Sequence, residues 1–205
     1  MAITNDYLNT SDLGVLAAWM QANLVPDYFA AVTVESNVIT CKDADGNTLL
    51  TKGSNSLTAY KSASASAGIA SHTGMQTVAE AYKCANGALL VFSNNTYTAY
   101  VLITKTNNGA TAIILNQPAN SLSGFTSGIS SVAWGDVMPN NAYAFTALTA
   151  NQTQLVPFCT DAALGTVSYT PNAFYIPVGQ YRAFGVLTLD GVNYLTNGYW
   201  AIKDA

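Results

Sequence analysis

The sequence predicts a mainly β protein: an antiparallel β-sandwich or barrel built from hairpins, with a short amphipathic helix near the N-terminus. Three observations carry this. Short runs rich in Val, Ile, Thr, Tyr and Phe recur along the 205 residues, each bounded by Asn, Asp, Gly or Ser. Asn-Gly or Asp-Gly pairs stand at Asn108-Gly109, Asp190-Gly191 and Asn197-Gly198. Both residue types in such a pair tolerate the positive φ of a tight hairpin turn. Sustained helical periodicity occurs before Pro26 and gives way to strand signals after it.

The helix comes first. Thr10 or Ser11 can cap it, and Asp12 suits the positive end of the helix dipole. Leu13, Leu16, Ala17, Met20 and Leu24 recur at helical spacing and form one apolar stripe, with Trp19 off its centre. Pro26 stops the helix. Leu13, Leu16 and Met20 are therefore expected to pack, either into the core of their own domain or against a neighbouring subunit. The organisation read from this is an N-terminal arm and helix over 1–26 and a β-rich domain over 27–205.

Strand signals dominate from residue 28. Runs 28–34 and 37–42 read as strands, Asp43-Ala44-Asp45-Gly46-Asn47 as a turn, and 48–51 and 56–61 as further strands. The Ser/Ala/Gly run 62–74 reads as a mobile loop. Residues 75–84 read as a short helix with Gly87 just past its end. Then come strands at 88–93, 97–105 and 110–116, turning at Asn94-Asn95 and at Asn107-Asn108-Gly109. Residues 117–141 are rich in Ser, Gly, Asn and Pro and form either a long loop or a boundary between two β subdomains. Runs 154–160, 165–170, 174–178 and 181–189 are strand candidates. The end of the chain reads as a three-stranded meander through 192–195 and 199–203.

Charged residues make up only 9% of the chain, against about 25% in an ordinary soluble domain. No stretch of about 18 residues is free of polar breaks, so a membrane-spanning helix is not expected. Ser, Thr, Asn, Gln and Tyr take the place of Lys and Glu. A surface of that kind can be covered by neighbours at little electrostatic cost, and interface centres are depleted in Lys, Glu and Asp. Net charge is −4 and Arg182 is the sole arginine. Without a basic patch, neither nucleic acid nor an anionic membrane is an expected partner. The opening Met1-Ala2-Ile3-Thr4-Asn5-Asp6 lacks the basic and apolar regions of a signal peptide, so folding in a cytosol is expected. Cys41, Cys84 and Cys159 are odd in number and far apart, and are expected as unpaired thiols.

The search for chemistry yields no site, and the protein is expected not to be an enzyme. His72 is the lone histidine, and no Gly-x-Ser-x-Gly elbow surrounds any serine. Cys41, His72, Cys84 and Cys159 show no metal-ligand spacing. A calcium loop beginning at Asp43 would need glycine and glutamate where Thr48 and Ser54 stand. Glu35 and Glu80 are the only glutamates, and Asp136, after Trp134-Gly135, is the acid with least structural explanation. No phosphate-cradling glycine motif occurs. No cofactor and no metal is expected.

Several features together resemble one group of proteins. The chain opens with a polar segment and a short helix and continues through Ala-, Thr- and Asn-rich hairpins almost free of charge. It closes on Leu189-Asp190-Gly191-Val192-Asn193-Tyr194-Leu195 and Gly198-Tyr199-Trp200-Ala201-Ile202. This is similar to small structural proteins of tailed bacteriophages and their prophages. The resemblance implies a non-enzymatic virion component of head, neck or tail, made in the host cytoplasm and assembling with copies of itself and other virion proteins. The alternative is a receptor- or glycan-binding module of a tail, for which Trp134 and Tyr143 are the aromatic candidates and a host-surface glycan the partner. A cell-wall hydrolase is the weakest reading.

Overall fold

The described part of the chain begins by committing a helix to the core. A computed structural model of the protein describes residues 8, 10–60, 68–73, 78–93, 98–105, 109, 111–116, 132–133, 136–137, 156–160, 168–175, 185–196 and 200–205. Helix α1 spans Leu13–Leu24. Its cap is Asp12 rather than Thr10 or Ser11: Asp12 Oδ1 accepts from the amides of Gly14 at 2.7 Å and Val15 at 3.3 Å. The carboxylate satisfies two orphan donors and also faces the positive helix end, whereas a hydroxyl would do only the first. Thr10 serves one step upstream, its Oγ1 accepting from the Asp12 amide at 3.0 Å. At the other end, the amides of Tyr28 and Phe29 donate to the Leu24 carbonyl, and Lys83 Nζ donates to the Asn23 carbonyl at 2.6 Å.

Sheet one is a meander of β1 (Ala31–Glu35), β2 (Val38–Lys42), β3 (Thr48–Gly53), β4 (Ser56–Tyr60) and β5 (Gly68–Thr73), antiparallel and in chain order. Ser36 and Asn37, at φ 51° and 61°, make the two-residue turn between β1 and β2. Between β2 and β3 the Asp43 carboxylate folds the turn on itself. Its Oδ1 accepts from the amides of Asp45 at 3.0 Å and Asn47 at 2.8 Å, and Gly46 takes φ 82°. β5 corrects the expected loop over 62–74. Residues 68–73 pair with β4, placing Ala70 opposite Ala59 and His72 opposite Leu57. The rest of that loop lies outside the described residues.

Sheet two contains β6 (Val78–Cys84), β7 (Gly87–Ser93), β8 (Thr98–Lys105) and β9 (Thr111–Asn116), again in chain order. The helix expected over 75–84 is therefore a strand. Ala79, Ala81 and Lys83 are strong helix formers, but the segment pairs residue for residue with β7, and Ala79 and Ala81 are buried against it. Sheet three has the order β12 (Val156–Thr160), β13 (Ser168–Tyr175), β16 (Trp200–Lys203), β15 (Val192–Thr196), β14 (Gly185–Leu189). The C-terminal meander is there, turning at Asp190 (φ 49°) and Gly191 (φ 78°). Runs 165–170 and 174–178, expected as two strands, are bridged by the single strand β13. A register shift opposite Pro157 and Phe158 lets it carry Pro171. A small hairpin, β10 (Val132–Ala133) with β11 (Asp136–Val137), sits against β9. The remainder of the 117–141 segment lies outside the described residues. Among the described residues each of the three larger sheets ends in two edge strands, which fits a layered sandwich, and no closed barrel is seen.

Sheet two is the middle layer. Ala88, Leu90 and Phe92 of β7 join Ile39, Cys41, Leu50 and Leu57 of sheet one and Leu16, Met20 and Leu24 of α1 in one core. The alternate residues Leu89 and Val91 are also buried, on the side where β13, β15 and β16 pack. Burial on both faces explains why 88–92 reads as an unbroken apolar run. The chain's end is tied into this layer. Asp204 Oδ1 accepts from the Ala85 amide at 3.0 Å, the Asp204 amide donates to the Asn193 carbonyl at 2.9 Å, and Asn86 Nδ2 donates to the Lys203 carbonyl at 3.1 Å. The expected stripe is buried within the subunit: Leu16 and Met20 are each 1% exposed, and Leu13 packs against the same core half-buried. Trp19, expected off the stripe's centre, is buried too. No helix among the described residues is long and apolar enough to cross a membrane.

Candidate functional site

A cleft of about 550 Å³ opens where α1 begins. Three structural units meet there. The helix start brings Asp12, Leu13 and Leu16; sheet one brings Val34, Asn37, Lys52 and Ser54; sheet two brings Ala79 and Phe92. An isolated antiparallel bridge between Thr10 and Ala79 fixes the segment that leads into the helix, with N···O distances of 2.9 and 3.4 Å.

Lys52 is the chemically unusual member. It lies on β3 opposite Ile39 of β2 and Leu57 of β4, both fully buried, so the pleat aims it at the core. The residue is only 5% exposed. Its Nζ donates to the Gly53 carbonyl and lies 5.5 Å from the centroid of the Phe92 ring, so the side chain spans from sheet one to sheet two. Burial strips water from the ammonium and lowers its pKa from 10.5 to about 8. An amine so placed is partly neutral near physiological pH and can act as a nucleophile or a hydrogen-bond donor.

The residues expected to be chemically silent are accounted for singly. Cys41 and Cys84 are buried free thiols. Burial pushes both upward, Cys84 to about 11, so neither forms much thiolate at neutral pH. Cys159 lies on β12 and His72 on β5, not in a loop, but nothing is described of either side chain. Glu80 accepts from the Tyr82 hydroxyl at 2.7 Å within β6, while Glu35 is exposed at the end of β1, on a different sheet. Asp136 pairs through its backbone with Ala133. Trp134 and Tyr143, the aromatic candidates for a glycan, lie outside the described residues. Among the described residues no three His, Cys, Asp or Glu side chains are grouped to hold a metal.

Sequence reasoning did not single out Lys52, Phe92 or the cleft. The available signal was Lys52 inside the apolar strand Thr48-Leu49-Leu50-Thr51-Lys52-Gly53, two residues from Leu50, on the face that a two-residue period assigns to the core.

Among the described residues the fold and the cleft define a class, a layered antiparallel β protein with one core helix and a buried strand lysine lining a cleft beside the helix start. Compared with protein-family models, curated proteins and solved structures, the chain matches none.

Proposed function

We propose that the protein is a non-enzymatic structural component of a phage particle, working by assembly with copies of itself and with other virion proteins. The observation that carries this reading is the outer face of α1. Its exposed residues are Gly14, Val15, Ala18, Gln21 and Ala22; none is charged, and Val15 is 45% exposed. The inner face is buried in the core, so the helix is uncharged all round, with Gln21 and Asn23 its polar residues. A helix so nearly apolar on every side belongs in the interior of something larger than its own domain. The low charge of the whole chain, 9%, extends the same argument to the rest of the surface.

Charge on that outer face tests the reading. Lysine is a good helix former, so Ala18→Lys should leave folding within about 0.5 kcal/mol of the parent. Size-exclusion chromatography with light scattering, alone and with candidate virion partners, should find the parent in complexes and the variant monomeric at an unchanged melting temperature. A parent that stays monomeric with every partner, or a variant that assembles as well as the parent, would sink the proposal.

A further inference from the structure

Assembly through the outer face of α1 makes no use of the cleft at the helix start. A volume of about 550 Å³ suits a small organic molecule. Leu13, Val34 and Phe92 give it apolar wall, and the hydroxyl-bearing Thr10, Ser11 and Ser54 give it polar lining. Lys52 lies between the Phe92 ring and the Gly53 carbonyl. Lysine normally keeps its amine in water; here the fold withdraws the side chain to 5% exposure while it still lines the cleft.

We propose that this cleft binds a small, neutral, mostly apolar carbonyl compound and holds it as an imine on Lys52. The neutral amine's lone pair forms a bond to the carbonyl carbon as the C–O π bond opens. The oxygen takes up the two protons given up by the nitrogen and leaves as water, and the C=N bond forms. No oxidant or reductant enters. Desolvation supplies the neutral amine near physiological pH. Asp12 is the other ionisable side chain among the described lining residues, and its negative charge disfavours an anionic ligand.

The test uses the full chain, benzaldehyde as the probe and cyanoborohydride to trap the imine, with modified lysines identified by peptide mass mapping. At pH 8 an amine with a pKa of about 8 is half neutral, against about 0.3% for a lysine at 10.5, a ratio of about 150. Restricted access removes part of this advantage, so Lys52 should react at least about tenfold faster than the exposed Lys42. Benzyl alcohol, similar in shape but without the carbonyl, should slow Lys52 and leave Lys42 unchanged. Phe92→Leu, which thins one wall, should slow Lys52 severalfold in protein that still unfolds cooperatively. Urea-unfolded protein should show no preference. A Lys52 that reacts no faster than Lys42, or that benzyl alcohol fails to protect, overturns the proposal.

Discussion

A single methyl group at Gly87 should destabilise the protein by about 3 kcal/mol. Gly87 opens β7 at the crowded junction between sheets two and three. A Cβ there would lie 2.4 Å from the Ile103 carbonyl oxygen and 3.0 and 3.1 Å from Cδ1 and Cγ2 of Ile202. Favourable non-bonded separations are about 3.5–4.0 Å between carbons. The Ile103 oxygen belongs to the backbone of β8, whose Ile103 pairs with Ala88, so it cannot swing aside as a side-chain end can. Relief requires β7 and β8 to part at the oxygen, and Ile202 of β16 to give way as well. Overpacking costs about 1–3 kcal/mol, and two separate obstacles, one of them backbone, place Gly87→Ala at the top of that range. Gly46→Ala is the control. Gly46 has φ +82° and nothing within 4 Å of its Cβ position, so its variant meets only the left-handed backbone penalty of about 1–2 kcal/mol. Equilibrium urea unfolding followed by tryptophan fluorescence measures both. Adding Ile202→Val to Gly87→Ala should give no rescue, because the oxygen remains. A Gly87→Ala loss below about 1 kcal/mol, or no larger than that of Gly46→Ala, would refute the packing argument.

Lys52→Met should raise stability most at neutral pH. The folded pKa of about 8 lies below the 10.5 of an ordinary lysine, so between these values the unfolded chain holds more protons and parent stability rises with pH. The charged form costs the parent up to about 3 kcal/mol below pH 8, offset in the comparison by the lost Gly53 and Phe92 contacts. The melting-temperature advantage of the methionine variant should therefore shrink from pH 7 to pH 10; a gap that does not change with pH contradicts it. Leu16→Asp places a carboxylate in the core shared by α1 and both sheets and should cost at least a few kcal/mol in the monomer. Thermal unfolding at the parent's temperature would show that the stripe does not hold the subunit together.

How far the fold was legible depends on which signals were local. The turns at Asp43–Asn47 and Asp190-Gly191 and the strands either side of them are set by residues within a few positions, and the pairing follows them. The misread segments are those where local chemistry opposes the tertiary outcome. Residues 78–84 contain alanine, glutamate and lysine, all helix formers, yet the register with β7 places Ala79 against Phe92 and Ala81 against Leu90 in the core. Burial of those four residues outweighs a propensity difference of at most about 0.7 kcal/mol per residue. Residues 68–73 sit in a Ser/Ala/Gly run in which Ile69 and Thr73 are the only strong strand formers, and their placement follows the edge that β4 offers. At Pro171 a missing amide donor reads as a strand break, but a strand with an irregular partner accommodates it.

The site was less legible because it has no motif. Lys52 acquires its properties from Phe92, forty residues away, and from the helix start, forty residues in the other direction. The outer face of α1 was hidden for the opposite reason. A periodic stripe of Leu13, Leu16, Met20 and Leu24 draws attention to the buried side, while the small Gly14, Ala18 and Ala22 opposite it count as neutral and leave Val15 and Gln21 isolated among them. Yet the absence of charge on that side is the more informative property. Sheet three shows what an exposed element of this chain looks like, since β14 alternates half-buried Leu187 and Leu189 with exposed Val186 and Thr188. A solvent-facing helix of an ordinary domain carries charges at such exposed positions. Here, among 12 helical residues, there is none. Two surfaces of one protein thus depart from solvent chemistry in different ways, an apolar helix face suited to a flat partner and a desolvated amine in a concave cleft. They meet only at Gly14, which is exposed and also lines the cleft: Leu13 and Leu16 turn toward the cleft, while Val15, Ala18 and Ala22 are not among its walls. Ala18→Lys and Phe92→Leu therefore perturb one surface each, and assembly and imine formation should fail independently.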